Sequence, residues 1–502
     1  ADHNTPSGYP ALEGLVLTHQ PSPWMADRNQ LLITPTWGAA DSGPHTFRHD
    51  NEDAGPHRYA VRLDGGLLVE AAPSSHGAAV RLTPPAGDGV LTVTLDVVDG
   101  ELDLRRSGDI WVGWLENGSR RSIGTTRQYF ALSFDRPVRH DGTRFLATDG
   151  GPITLRIATS LLGVDQAAHH LATGLGDTLD DLAVTARAAW AERLAVLELD
   201  GATHDECVSA YSNLYRLNLY PNFTSETGPD GVARYASPVL PHAGPSDDEH
   251  TGAVVVEGEM SVNHGFWDTY RTAWPAYALW YPDLAARLAD GFVEQYRTGG
   301  WIARWSSPGY ADVMTGTSSD VAFADLDAKS IPLADRRGTY LSGLRNATAR
   351  PTEAGVGRKD LRYVYLGGPT PECHEPVSWT FEGALNDHAL GLMASRLLAD
   401  ETDPAAARRL RDEARYLLVR SAGYSALYDA STGFFQSRNE DGSFRFGAAE
   451  YDPRVWGYDY TEANGWTFGF PAPHDPSGLA GLVGGRAGLL ARLDEFFSTV
   501  ED

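Results

Sequence analysis

Leu91-Thr92-Val93-Thr94-Leu95-Asp96-Val97 puts an apolar side chain at every second position. Successive side chains of an extended chain point to opposite faces, so a period of two marks a strand with one face in a core and one towards water. Similar short runs lie on either side: Leu31-Leu32-Ile33, Tyr59-Ala60-Val61-Arg62-Leu63, Leu67-Leu68-Val69-Glu70, Ala79-Val80-Arg81-Leu82, Tyr129 to Phe134 and Ile153 to Ile157. Gly and Pro punctuate them, and Gly65-Gly66 between two runs predicts a two-residue hairpin. Short strands at turn-separated intervals predict an antiparallel β-sandwich over residues 1–163.

Beyond that boundary the period changes. Leu179, Leu182, Ala183, Ala186, Trp190, Leu194 and Leu197 recur at spacings of three and four, which predicts a linking helix within 164–200. Further helices are expected at 204–219, 266–298 with a break at Pro282, 318–331, 378–400, 404–421 and 486–498. Asp403-Pro404 is a clear start signal, an N-cap residue followed by proline at the first helical position. Long polar loops, especially 221–263 and 436–475, exceed what packing requires and are where function tends to sit. The fold class expected is multidomain β + α: a sandwich, a linking helix and an all-α domain over 201–502.

A chain of 502 residues holds about two to three domains. Hydrophobic residues at 42% and charged residues at 22% exclude a disordered protein. Forty-one basic against 67 acidic residues leave a net charge of −26, so a polyanion meets repulsion and nucleic-acid binding is disfavoured. No run of about eighteen apolar residues spans a bilayer, and Ala1-Asp2-His3 lacks the basic and apolar regions of a secretory leader. Cys207 and Cys373 alone permit at most one disulfide and exclude a multi-cysteine zinc site. Few Met and many Ala, Arg, Asp and Gly suit GC-rich bacterial coding. Acidity with 13 Trp is common among secreted carbohydrate enzymes, so an extracellular bacterial location is expected.

Three loop segments concentrate aromatic and charged residues: Asn263 to Arg271, Gly299 to Arg304-Trp305, and Asp459 to Trp466. Sugars need that combination, because their C–H faces stack on indole while carboxylate and guanidinium groups take ring hydroxyls. Taken singly, each such Trp has an ordinary alternative as core packing, and each carboxylate as a solvated or capping group. No HExxH, CxxC or EF-hand pattern is present, and His169-His170 reads as a solvated pair. Pro245 to His250 is acidic enough to attract a cation, although loop charge runs are usually solvated. Serine-hydrolase and phosphate-loop motifs are absent. Hydrolysis by paired carboxylates is the chemistry best supported.

Six ordered segments resemble the exo-acting α-mannosidases of glycoside hydrolase family 92: QPSPWMAD (20–27), GFWDTYRTAWP (265–275), GGWIARWSSPGY (299–310), MTGTSSDVAFADLDAKSI (314–331), YDASTGFFQSRNEDGSF (428–444) and DYTEANGWTFGFPAPHDPSGL (459–479). The resemblance implies a β-sandwich followed by an (α/α)6 barrel, a catalytic Ca2+ ion, and inverting hydrolysis of terminal α-mannosides on a mannose-containing glycan. It implies Glu462 as general acid, with Trp267, Asp268 and Arg271 in a sugar-binding motif. Trp301, Arg304 and Trp305 match the next pocket segment, and Trp24 matches an aromatic lent by the sandwich. Asn464, Trp466, His474 and Asp475 match wall positions. The family's Gly-Asn-Asp-Asp-Cys-Gly base segment, a His- and Glu-bearing calcium segment and the first sandwich strands have no match in 1–502. The chain therefore reads as a piece of a longer enzyme, with base and calcium ligands on its remaining C-terminal part. Ala463 stands where the family usually has Gly. A mannose-binding remnant without turnover, and a relative that uncaps mannosyl phosphodiesters, are the alternatives.

Overall fold

The alternation along Leu91–Val97 becomes burial, with Leu91, Val93 and Leu95 each 1% exposed. The computed structural model describes residues 10–16, 31–38, 45–97, 100–116, 127–147, 150–359 and 369–500. Leu91–Val97 sits in a five-stranded antiparallel sheet between Arg144–Ala147 and Leu31–Trp37, paired Ile33 with Leu95 and Pro35 with Val93. An eight-stranded antiparallel sheet runs Leu102–Ser107, Ile110–Leu115, Gln128–Phe134, Ile153–Ser160, Gly77–Thr83, Leu68–Pro73, Arg58–Arg62, Glu52–Gly55. Residues from both sheets, among them Ile33, Val93, Phe145, Val69, Leu82, Phe130 and Ile157, share one core, as a sandwich requires. The Gly65-Gly66 turn is a hairpin, but its loop has three residues. Leu63 N–H donates to Leu67 O at 2.9 Å and Gly66 N–H to Leu63 O at 2.8 Å, with Gly66 at φ 85°.

The linking helix is two helices, Val164–Thr173 and Leu179–Leu194. Gly174 and Gly176, the latter at φ 60°, break the first, and Thr178 starts the second by accepting from Asp181 N–H at 3.1 Å. Val164, Ala167, Leu171, Leu179 and Leu182 pack with Val112, Tyr129, Ala131 and Ala158 of the large sheet. Contacts divide the chain at another place, into Ala1–Glu259 and Met260–Asp502.

Among the described residues of Met260–Asp502 the helices are Ala273–Trp280, Pro282–Gly299, Ser319–Ala328, Arg336–Thr348, Pro376–Asp400, Pro404–Arg420, Pro476–Leu482 and Gly485–Ser498, with a single turn at Phe266–Thr269. Pro282, Pro376, Pro404 and Pro476 all occupy first-turn positions, where their missing N–H is no loss. Asp403 caps as expected, accepting from Ala406 N–H at 2.8 Å. Arg336–Thr348 is a helix without an apolar stripe, because the face it buries is Thr339, Tyr340, Ser342, Gly343, Asn346 and Ala347. Among the described residues no helix is long and apolar enough to cross a membrane.

That polar face belongs to a buried network. Asp320 accepts from Thr317 Oγ1 at 2.7 Å and Asn346 Nδ2 at 2.9 Å, and Asn386 Nδ2 donates to Thr317 Oγ1 at 3.0 Å. Asp387 pairs with Arg358 at 2.8 Å and with Arg420. Buried charges persist only when paired and hydrogen-bonded. Burial pushes the Asp320 carboxyl up to about 7 despite the nearby Arg358 guanidinium. An unfolded aspartate titrates near 3.9, so the native state holds the proton between about pH 4 and pH 7 and loses this stabilisation as pH rises through that window. Asp320→Asn should therefore gain on the wild type by up to about 4 kcal/mol between pH 4 and pH 7.5. Urea unfolding at both pH values checks it, and parallel pH curves for the two proteins would refute it.

Candidate active site

Residues Asp459 to Trp466 are buried with one exception, Glu462, which is exposed. The first turn of Pro376–Asp400 explains the segment's position. Helix-start N–H groups need acceptors, and those of Val377 and Ser378 donate to Asp459 O at 3.1 and 3.3 Å. Thr461 N–H donates to Ser378 Oγ at 2.9 Å, and Thr461 Oγ1 to Glu375 Oε2 at 2.7 Å. The Asp459 carboxylate accepts from Ser437 N–H at 2.8 Å and Arg445 Nη1 at 2.6 Å. On the other side of Glu462, Ala463 O accepts from Gly457 N–H at 2.9 Å. Glu462 itself sits at φ 46°, left-handed backbone that costs a non-glycine residue about 1–2 kcal/mol.

Asp268 approaches Glu462 from the single turn Phe266–Thr269. Phe266 roots this turn, stacked 5.7 Å from Trp274 and edge-on to Phe292 and Phe323. His264 ties it further, its Nε2 accepting from Trp274 Nε1 at 2.8 Å and lying 2.7 Å from Thr269 Oγ1, whose proton goes to Gly265 O at 2.9 Å. Burial holds that imidazole neutral, its pKa lowered to about 3. The Asp268 carboxyl is held above the ordinary aspartate range, first by partial loss of hydration and then by the charge of Glu462. A carboxyl pair of this kind is a setting for acid–base chemistry. Trp267 is half-buried, and its indole Nε1 is itself buried, with no hydrogen-bond partner among the described residues. Arg271 reaches Glu382 rather than Asp268, with Nη2 donating to Oε1 at 2.9 Å. Its side chain is 53% exposed while Glu382 is 3% exposed, so a buried carboxylate aims a cation whose outer edge remains open. Tyr270 OH donates to the same carboxylate at 3.1 Å and its ring lies under Arg271 at 4.1 Å.

Other residues expected at the site are placed differently. Trp301 is 1% exposed, donates from Nε1 to Thr352 Oγ1 at 2.9 Å and carries Arg345 on its ring at 4.4 Å. Trp305 is buried in a strand facing Gly265, where a Cβ would come within 2.5 Å of the indole. Arg304 is buried over Trp379 at 4.9 Å and paired with Asp312, with Nε and Nη1 facing no acceptor among the described residues. Asn464 accepts from Thr467 N–H at 3.0 Å. Trp466 packs edge-on against Phe434 at 4.9 Å. His474 Nε2 lies 3.1 Å from Ser421 O, and Asp475 caps Pro476–Leu482 through Gly478 N–H at 2.9 Å. Trp24 lies outside the described residues. Glu375 and Glu382 escaped sequence reading, although a lone Glu in the apolar stretch Trp379-Thr380-Phe381-Glu382-Gly383-Ala384-Leu385 is itself a signal.

The described residues contain no group of three or more His, Cys, Asp or Glu arranged to hold a metal ion. In Pro245 to His250, Asp248 instead accepts from Trp114 Nε1 at 2.9 Å and Glu249 pairs with Arg105 at 2.5 Å. The described carboxylates thus do not fit a calcium site. His169-His170 is not a solvated pair either, since His170 is buried and stacked on His76 at 4.1 Å. Cys207 and Cys373 form no disulfide.

Residues 166–502 match the model of the glycosyl hydrolase family 92 catalytic domain and residues 3–161 that of its N-terminal domain. An inverting mannosidase of that family from Bacteroides thetaiotaomicron superposes with a TM-score of 0.85 at 26% identity, over 96% of this chain and 66% of its own. An α-mannosidase of the family from the same bacterium has a TM-score of 0.79 at 20% identity, over 98% of this chain and 68% of its own. A secreted glycosidase of the fungus Arthroderma benhamiae is 22% identical over 89% of this chain, which spans 61% of that relative's length.

Burial separates the tryptophans into two groups that mutation should tell apart. Trp301→Ala should cost about 3–5 kcal/mol in unfolding free energy. Trp267→Ala should cost less than half as much, because its side chain is only half-buried. Denaturant melts check the pair, and equal destabilisation by both would make Trp267 a packing residue.

Proposed function

The chain belongs to glycosyl hydrolase family 92, and on that premise we propose that it is an exo-α-mannosidase that removes terminal α-linked mannose from mannans or N-glycans with inversion. The observation that carries the reading is Glu462, the one exposed residue of a buried segment, near enough to Asp268 for its charge to raise that carboxyl's pKa. As the bond between C1 and the glycosidic oxygen breaks, Glu462 gives its proton to that oxygen. Water adds to C1 from the opposite face and yields a proton to a base, which needs a carboxyl separation of about 6.5–9.5 Å from the acid. The family's base segment has no counterpart in residues 1–502, which span 66% and 68% of the two solved relatives' lengths.

Asp268 and the open edge of Arg271 take ring hydroxyls, and Trp267 offers an indole face. Calcium dependence follows from the resemblance alone. Action outside the cell fits the secreted fungal relative and the acidic, Trp-rich composition. Uncapping of a phosphodiester suits this site less well, because a phosphate leaves with little protonation and does not need a strong acid.

Glu462→Gln keeps shape but removes the transferable proton. In the full-length enzyme it should lower the rate on mannobiose by about 10²- to 10⁴-fold. On dinitrophenyl mannoside, whose departing oxygen needs no proton, the loss should be small. Equal losses on the two substrates would remove the general-acid assignment.

A further inference from the structure

Glu375 stands at the N-cap position of Pro376–Asp400, yet its side chain makes no capping bond to that helix. Its Oε2 accepts instead from Thr461 Oγ1 at 2.7 Å, one residue before Glu462. Thr461 Oγ1 also lies 3.2 Å from Thr315 Oγ1. A hydroxyl has one proton and the carboxylate only accepts, so the direction of this chain is fixed. Thr315 donates to Thr461, and Thr461 donates to Glu375. Thr315 and Thr461 are each 2% exposed, so water cannot replace a lost partner. Three non-glycine residues in left-handed backbone adjoin the relay: Met314 at φ 57°, Glu375 at φ 58° and Glu462 at φ 46°. A relay that ends on one carboxylate thus joins three strained segments that are distant in sequence.

We propose that Glu375 is a positioning residue for Glu462, acting through Thr461 and touching neither substrate nor the reacting atoms. The backbone torsions at Thr461 and Glu462 set where the Glu462 carboxyl lies. Thr461 is gripped at two of its polar groups by the start of one helix, its N–H by Ser378 and its hydroxyl by Glu375. Without an acceptor at 375 the buried Thr461 hydroxyl must turn elsewhere, and the strained residue beside it loses the contact that opposes its relaxation. A displacement on the order of 1 Å is enough to cost about a hundredfold in rate when a reacting group must be aligned.

This inference rests on Glu462 being the general acid, so the test carries its own control. Glu375→Ala, Glu375→Gln, Thr461→Val, Thr461→Ser, the double variant Glu375→Ala/Thr461→Val and Glu462→Gln are made in the full-length enzyme. Each is assayed on mannobiose and on dinitrophenyl mannoside. Glu375→Ala and Thr461→Val should each lower kcat/KM on mannobiose by about tenfold to a hundredfold, with much smaller losses on the activated aryl substrate. Glu375→Gln and Thr461→Ser, which keep an acceptor and a hydroxyl, should restore most of the activity. The double variant should be no worse than either single one, because both break the same contact. Equal losses on both substrates, additive losses, or no rescue by the conservative variants would overturn the role of Glu375. If Glu375→Ala does not fold, the Thr461 pair decides the matter. A Glu462→Gln enzyme that loses equally on both substrates overturns the acid assignment and this proposal together. A substrate split for Glu462→Gln without one for Glu375→Ala or Thr461→Val overturns the positioning role alone.

Discussion

A helix that begins inside a protein must find acceptors for its first N–H groups, and at Pro376–Asp400 those acceptors lie on the segment that carries Glu462. Proline at the first position removes one donor, and Asp459 O takes the next two. Each such bond contributes only about 0.5–1.5 kcal/mol net, but a buried donor left without a partner costs about 1–3 kcal/mol. The segment and the helix start therefore depend on each other. Ser437 and Arg445, through the Asp459 carboxylate, extend the attachment to a second loop. Helix capping and site construction are here the same set of bonds.

Polar burial of another kind organises the helices behind the site. Asp320 and Asp387 face Arg358, with Arg420, Asn346, Asn386 and Thr317 completing the set. Such a network specifies one arrangement of Ser319–Ala328, Arg336–Thr348 and Pro376–Asp400, because a shifted register would strand a charge in the interior. Glu382 applies the same principle nearer to solvent. It holds Arg271 by one nitrogen and leaves the remainder of the guanidinium open.

How much of this was legible in the sequence depended on which physical signal each residue carried. Period-two runs such as Leu91–Val97 were readable because one face meets an apolar core. The break at Gly174 to Gly176 lay in plain view, but it was masked by the stronger three-four period that follows it. Arg336–Thr348 was unreadable for the opposite reason: its buried face is polar, so apolar periodicity is absent. At the site, the segments around Asp268 and Glu462 were legible through their motifs. Motifs could not separate the indole that Trp267 leaves partly open from those that Trp301 and Trp466 bury, because both uses draw on the same residue. Nor could they show that Asp475 caps a helix or that Arg271 is aimed by Glu382, since those roles depend on partners distant in the chain.

The left-handed conformation of Glu462 also bears on how this sequence would respond to redesign. Glycine, and to a lesser degree asparagine, relaxes a backbone at φ 46°, so selection for thermal stability alone would favour either residue over glutamate at this position. Consensus or energy-guided engineering that ignores chemistry would then improve the fold by erasing its one exposed carboxyl in a buried strap. On the role proposed for Glu462, position 462 is a site where the stability optimum and the functional optimum call for different amino acids, and the glutamate found there marks which of the two has prevailed.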